Sequence, residues 1–470
     1  MLKKTMSLLL CLLIFAALFG CGKAAEPAQE APVLQAGFAR EDITPQLSVP
    51  MGGYGNSNLR MSEGVDSQLY ATCIAFTYGD EKVLLFSLDL LNTEWFEEVR
   101  PIISGGTGIP EERIVLSATH THYAPDLVRA DPAIVTYKQA LFSSMLRVAE
   151  SALADCAPAT LYAGRTETEK LNFVRHFQLS DGSYGGSNFG DFVNNTIVGY
   201  ASAGDPQMLG LKIQRQGDKK DIAVINWQAH PCKSVGGFEN RRISADFIAP
   251  MRTTFEGISG MHFMYFTGAA GDQNVTTRIT ADDNGLSLEE LGQQLSQQAF
   301  STVKAADKLE GEGIRTTTQT RVYPVNHDKE DQMLQALEVI ELWKRTADSA
   351  QSNALAREYG FSSLYEADAV RKRPKWPQSD KYEISAIYVG GMAFVTAPYE
   401  MFSASALHIK ENSPFENTMI ITCANGGHGY FATEEAYDYG SYESATSYFA
   451  KGCAEDAQNA LLDMLDSLKN

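Results

Sequence analysis

Five short apolar runs in this chain each deliver a chemically able polar side chain at their C-terminal end, and this arrangement narrows the fold more than any other feature. Ile114-Val115-Leu116-Ser117 leads into Ala118-Thr119-His120-Thr121-His122, and Ile222 through Trp227 leads into His230-Pro231. Phe263 through Phe266 opens into Gly268-Ala269-Ala270-Gly271-Asp272-Gln273-Asn274. Phe394-Val395 ends in Pro398-Tyr399-Glu400, and Met419 through Ile421 gives way to Asn425 and Tyr430. In open α/β sheets, ligands bind in the crevice outside the carboxyl ends of the strands. Five such ends predict one shared site.

The runs at 70–78, 82–88, 113–117, 222–229, 262–266, 387–395 and 418–423 are rich in Val, Ile, Phe and Tyr and bounded by Gly, Asp and Pro. That combination reads as strand. Segments 132–154, 287–306, 329–359 and 444–468 carry apolar residues at three- and four-residue steps, which reads as helix. Ser287, with Glu290 three residues on, predicts a capping box. Alternation of this kind predicts the α/β class, mixed and layered, with the site at strand C-terminal ends. No internal sequence repeat or linker divides 33–470, so a single large catalytic-type domain is expected there.

The N-terminus reads differently. Lys3 and Lys4 precede an apolar stretch ending in Leu18-Phe19-Gly20-Cys21, the pattern of a secretory signal and too short for a membrane span. Its tail resembles a bacterial lipobox, in which Cys21 becomes lipid-modified after removal of residues 1–20. A polar linker over 21–32, rich in Ala, Glu and Pro, would follow. The expected location is the cell surface or periplasmic face, tethered to the membrane through Cys21. With 39 basic against 58 acidic residues and a formal charge of -19, the chain repels nucleic acid. Cys73, Cys156, Cys232, Cys423 and Cys453 form no CxxC and are odd in number, so no disulfide framework is expected. The basic stretch Arg371-Lys372-Arg373-Pro374-Lys375 reads as a solvated loop, and Glu434 and Glu435 as capping or orienting acids.

Taken singly, each polar strand end has a plain structural reading. His120-x-His122 places two imidazoles on one strand face, His230 before Pro suits a turn, the Gly-Ala-Ala-Gly-Asp stretch suits a tight turn, and Glu400 suits a solvated loop. Together they supply the imidazole and carboxylate donors that Zn²⁺ takes in catalytic sites.

The motifs, in order, resemble the neutral/alkaline ceramidase family, zinc-dependent hydrolases of the amide bond of N-acylsphingosines. The resemblance is carried by Ala36 through Pro45, Met51-Gly52-Gly53-Tyr54-Gly55, Ala118 through His122 with Pro125, and Asn172-Phe173-Val174-Arg175. It continues through His230-Pro231, Ile243 through Phe247, Gly268 through Asp272 and Pro398-Tyr399-Glu400. The block from Gly429 to Thr446, with Tyr430 and Tyr442 twelve residues apart, is its most specific part. The resemblance implies that His120, His230, Glu400 and Tyr430 hold Zn²⁺, that His122 does acid/base work, and that Arg175 and Tyr442 hold the substrate carbonyl oxygen. It implies attack on the amide of an N-acyl (sphingo)lipid by zinc-activated water.

Two departures, at position 274 and in length, and one lesser difference stand out. Asn274 occupies the place of a serine proposed in the family as nucleophile or substrate contact, so an acyl-serine route is closed there while a hydrogen bond from the amide remains open. Cys232 and Lys233 likewise replace small hydroxyl residues. The family's C-terminal immunoglobulin-like domain is not expected, since the chain stops one helical segment after the tyrosine block. The alternatives are a zinc hydrolase of the same fold acting on a non-lipid substrate and a surface lipoprotein that binds without catalysis.

Overall fold

Strands buried on both faces read as unbroken apolar runs, and the core of this protein is built from them. The computed structural model describes residues 31–54 and 60–469; the expected signal segment, Cys21, most of the linker and Gly55 lie outside the described residues. Residues from Leu34 to Asn470 make one compact unit. It opens with three antiparallel strands, β1 (Gln35–Asp42), β2 (Tyr70–Tyr78) and β3 (Glu81–Leu88). Helix α1 (Phe96–Thr107) then crosses to β4 (Ile114–Ala118), parallel to β3, and α2 (Pro132–Ala154) follows.

The same order recurs. Strands β5 (Ala157–Glu167), β6 (Gln207–Arg215) and β7 (Ile222–Trp227) are antiparallel, α3 (Ile248–Ser259) crosses to a parallel β8 (His262–Thr267), and α4 (Leu288–Lys304) follows. It recurs a third time, with an insertion. After β9 (Ile314–Pro324) come helices α5 (Met333–Thr346), α6 (Ser349–Glu358) and α7 (Leu364–Lys372). Then β10 (Ser379–Val389), β11 (Met392–Thr396), α8 (Ser403–Asn412), a parallel β12 (Thr418–Ile421) and α9 (Cys453–Ser467) complete the motif. The topology therefore repeats three times in a sequence that shows no repeat.

The first two motifs join edge to edge through β1 and β5, giving the order β8-β7-β6-β5-β1-β2-β3-β4. The third forms its own sheet, β9-β10-β11-β12. Alternate side chains sort the layers. Ile74 and Phe76 of β2, Val224 of β7, Met264 and Phe266 of β8, Ile387 and Val389 of β10, and Met419 and Ile421 of β12 fill one core between the two sheets. Their neighbours point outward: Cys73 and Phe86 towards α1 and α2, Trp227 and Tyr265 towards α3 and α4, Ile384 and Val395 towards α9. The result is four layers, helix, sheet, sheet and helix. The mixed α/β class is thus the one observed. Among the described residues, no helix is long and apolar enough to cross a membrane.

Several boundaries differ from the sequence expectation. The run 387–395 is two strands, because Gly390 and Gly391 both take positive φ (54° and 99°) and close a tight hairpin between β10 and β11. The helix expected over 329–359 breaks at Ala347, which is left-handed (φ 53°), and restarts under an Asp348 N-cap. The helix expected from Ser444 begins instead at Cys453, behind Gly452 with φ 90°, and is preceded by the separate turn Tyr442–Thr446. Leu288–Lys304 starts under the capping box of Ser287 and Glu290. The basic stretch near 373 is not a solvated loop: Arg373 is buried and donates to the carbonyls of Asp328 and Ala445, tying the helical insertion to the turn that carries Tyr442.

Candidate metal centre

The third and fourth strands of each motif end at the same place. Their tips are stitched together by polar contacts: Thr267 Oγ1 donates to the Thr119 carbonyl (2.7 Å), Ser117 Oγ to the Thr422 carbonyl (3.0 Å), and the Thr422 amide to the Thr267 carbonyl (3.1 Å). His120 follows β4, His230 follows β7, Glu400 follows β11 and Tyr430 follows β12. The three motifs each supply at least one residue to a single crevice. His120 itself is left-handed (φ 67°), a conformation that costs a non-glycine residue of order 1 kcal/mol or more and is found concentrated at functional sites.

Donor atoms of His120, His122 and His230 all lie within 4.8 Å of one another. Glu400 Oε2 stands 3.0 Å from His230 Nε2 and 3.3 Å from His120 Nε2. Tyr430 is brought alongside Glu400 by a parallel two-residue bridge, Glu400–Met401 with Tyr430–Phe431. His120, His122, Glu400 and Tyr430 line one cavity of about 270 Å³, with Asn92 and Glu94 at its other wall.

The hydrogen bonds assign the tautomers. His120 Nδ1 reaches the Leu91 carbonyl at 2.8 Å, and His230 Nδ1 reaches the Gln273 carbonyl at 3.2 Å. A carbonyl only accepts, so both Nδ1 atoms carry the proton and, in neutral rings, both Nε2 atoms carry a lone pair. Glu400 Oε2 then faces both Nε2 atoms, at 3.0 and 3.3 Å; burial disfavours a charged imidazole, but without a metal the carboxylate raises His120 well above its ordinary value and so draws a proton to it. A metal cation at the centre would take that proton's place among the three groups. Bonds of ~2.0 Å to a tetrahedral ion put its ligands ~3.3 Å apart, so the separations fit a metal. Metal-bound histidines characteristically give their second nitrogen to a carbonyl or carboxylate, as these two do. His122 does not: among the described residues its buried Nδ1 has no hydrogen-bond partner.

Electrostatics follows from this crowding. Burial alone would raise the Glu400 carboxyl, but His120 and then His230 beside it hold it well below the usual carboxylate range. Burial, reinforced by His120 and His230, keeps the His122 imidazole well below its ordinary value, so it stays neutral. Burial and then Glu400 push the Tyr430 phenol well up, so Tyr430 becomes an anionic donor only beside a cation.

Arg175 lies with its guanidinium carbon 5.3 Å from the Tyr430 ring centre, and the Tyr442 ring is 5.8 Å from Tyr430. A cation and a phenol therefore flank the metal donors, the arrangement needed to receive a developing oxyanion. Asn274 sits on the short bridge Gln273–Asn274, paired with Phe173–Val174, and its Oδ1 is 3.9 Å from Cys232 Sγ. It adjoins His230, whose backbone N–H also donates to Gln273 (3.0 Å). Cys73, Cys156, Cys232, Cys423 and Cys453 are free thiols.

Other residues complete the site without having been singled out from sequence. Fully buried Arg60 donates to the carbonyls of Gly52 (2.6 Å), His122 (3.1 Å) and Asn240 (3.1 Å), fixing the His122 backbone. Asp246, left-handed and fully buried, accepts from the Lys233 and Ser234 amides and so shapes the loop after His230. Glu443 and His176 bond each other at 2.7 Å behind Arg175. Of these, Asp246 and Glu443 fall inside motifs that carry the resemblance, while Arg60 and His176 have no local signature.

No family model matches the sequence, and no curated protein does. Among solved structures, the chain is similar to neutral ceramidase from Pseudomonas aeruginosa, with a TM-score of 0.68 at 17% identity over 94% of this chain and 75% of that one. It is likewise similar to a ceramidase complexed with C2, with a TM-score of 0.67 at 16% identity over 93% of this chain and 75% of that one. The resemblance drawn from the motifs therefore holds at the level of fold.

Proposed function

We propose that this protein is a zinc-dependent hydrolase of N-acyl amides, ceramidase-like in mechanism, acting on an N-acyl (sphingo)lipid. One observation carries the reading: His120 Nε2, His230 Nε2 and Glu400 Oε2 converge with both Nδ1 protons committed elsewhere, beside Arg175 and Tyr442. The fold likeness to ceramidases supports it. Zn²⁺ suits two imidazoles, a carboxylate and a phenolate, and when bound it would polarise the amide carbonyl and acidify water.

The chain's own residues supply the rest. Glu400, His120, His230 and Tyr430 would hold the ion. His122, neutral and with an uncommitted Nδ1, accepts a proton from the attacking water and returns one to the leaving amine nitrogen. Arg175 and Tyr442 donate to the carbonyl oxygen as it gains charge, each worth roughly 3 kcal/mol in comparable sites. The test is the purified protein against a panel of N-acyl amides, with and without chelator, measuring free amine and free fatty acid. Absence of metal-dependent release from every member defeats the reading. Asn274 favours a second reading, hydrolysis of a non-lipid amide by the same groups, and inclusion of short soluble amides in the panel separates the two.

Position 274 gives a sharper prediction. An amide cannot attack a carbonyl, so Asn274 supplies at most one hydrogen bond. Asn274→Ala is expected to lower turnover about 10- to 100-fold, the worth of one donor of roughly 1–3 kcal/mol, with no burst of acyl-enzyme. A loss beyond about four orders of magnitude with metal retained overturns water as the nucleophile.

We also propose that the protein is lipid-anchored through Cys21, outside the cytoplasmic membrane. The support is the sequence Leu18-Phe19-Gly20-Cys21 behind a basic and apolar lead. Cys21→Ala is expected to move the protein from the membrane pellet to the soluble fraction, and unchanged partition would sink the anchor.

A further inference from the structure

Arg175 is held from behind by a buried relay. Its Nε donates to Glu443 Oε1 (2.7 Å) and its Nη2 to the Gly271 carbonyl (2.8 Å), leaving Nη1 as the nitrogen held by neither. Glu443 is fully buried; its other oxygen, Oε2, meets His176 Nε2 at 2.7 Å, and His176 Nδ1 meets the Tyr439 hydroxyl at 2.7 Å. A carboxylate accepts, so His176 Nε2 donates to Glu443, and the ring's other nitrogen is paired with the Tyr439 hydroxyl. Every member of the relay is satisfied, the condition under which a buried polar network rigidifies its surroundings. Burial opposes ionisation of Glu443, yet His176 and Arg175 bring its carboxyl down to about 2, so it is an anion at any working pH.

Placement makes the relay more than a local ion pair. Glu443 follows Tyr442 in the turn Tyr442–Thr446, so one backbone segment delivers both the phenol and the carboxylate that aims the guanidinium. Arg175 and His176 are likewise adjacent. Two pairs of neighbours from segments 268 residues apart thus lock the two oxyanion donors into one rigid piece. We propose that Glu443 is a positioning residue that sets Arg175, through the His176–Tyr439 relay, at the distance where it receives the substrate's carbonyl oxygen. This rests on the amide-hydrolase reading of the same site. A misplacement of about 1 Å of such a donor costs on the order of 100-fold in rate.

The test uses the full, zinc-loaded protein and two readouts, turnover of the best amide found and calorimetric affinity for dodecanoate, whose carboxylate presents the charge Arg175 would meet. Glu443→Gln keeps the shape and is expected to lower kcat about 100-fold and weaken dodecanoate binding about 10-fold, with KM and zinc per chain unchanged. In an Arg175→Ala background, Glu443→Gln is expected to add nothing. Should Glu443→Gln fold poorly, Tyr439→Phe, which removes only the outermost hydroxyl, is expected to show a smaller loss of the same kind. Loss of zinc or folded protein in proportion to rate, or full additivity with Arg175→Ala, overturns the positioning role. If no amide is turned over while dodecanoate affinity still follows Glu443 only through Arg175, the relay stands and the hydrolase reading falls.

Discussion

His120→Ala is expected to empty the metal centre and to lower turnover by at least about four orders of magnitude, about 5.5 kcal/mol of barrier. The side chain supplies one of the four proposed donors, its Nε2 3.3 Å from Glu400 Oε2, and removing it strips one of the two imidazoles from the set. The fold should survive, because the imidazole faces a cavity and, outside the donor cluster, its ties are the Nδ1 bond to the Leu91 carbonyl and a 3.6 Å contact with Cys423 Sγ. Zinc per chain by elemental analysis and turnover on the best amide decide the matter. Chelation of the wild type should reproduce the loss, and added Zn²⁺ should reverse it. Full metal retention in the variant would show that the donor set is wrong.

The largest effect on stability is expected at Asp89, just beyond β3. Both its oxygens accept from Arg252 Nη2 of α3 (2.8 and 2.7 Å), and Oδ2 also takes the Tyr70 amide (2.9 Å). The pair is almost inaccessible, with side-chain exposures of 9% and 1%. Asp89→Ala leaves a buried guanidinium without its counter-charge, which costs about 3–5 kcal/mol. The pair joins the first motif to the second, so chemical denaturation should show a lower midpoint while activity per folded, metal-loaded molecule is preserved. A loss below about 1 kcal/mol would show that water or another group compensates Arg252.

Legibility from sequence followed the number of faces a strand buries. Strands β2, β4, β7, β8 and β12 are apolar on both sides and stand out as runs. Strand β9, with the sequence Ile314-Arg-Thr-Thr-Thr-Gln-Thr-Arg-Val-Tyr-Pro324, is largely half-exposed and carries no such run. The β10–β11 hairpin is hidden because apolar residues flank Gly390-Gly391 on both sides, and only the backbone angles reveal the turn. The break at Ala347 is hidden for the converse reason: alanine is a good helix former, and tertiary context rather than propensity makes it left-handed. At the site, the histidines, Glu400 and Tyr430 are legible because each ends a strand. The relay of Glu443, His176 and Tyr439 is not, since its meaning lies in distances between segments that no local spacing encodes. The threefold recurrence escapes for the same reason, being a property of topology alone.

That recurrence bears on how the molecule comes to exist. The proposed metal donors stretch from position 120 to position 430 and arise from all three motifs, two of which lie in one sheet and one in the other. On the proposed donor set no single motif could capture an ion, so metal uptake would wait until the last strands have docked, and contacts this remote in sequence form slowly. Once bound, the ion ties one sheet to the other across their shared core. At free metal a thousandfold above the dissociation constant, it adds about 4 kcal/mol to the folded state. A metal held by that proposed set would double as a clasp that closes last.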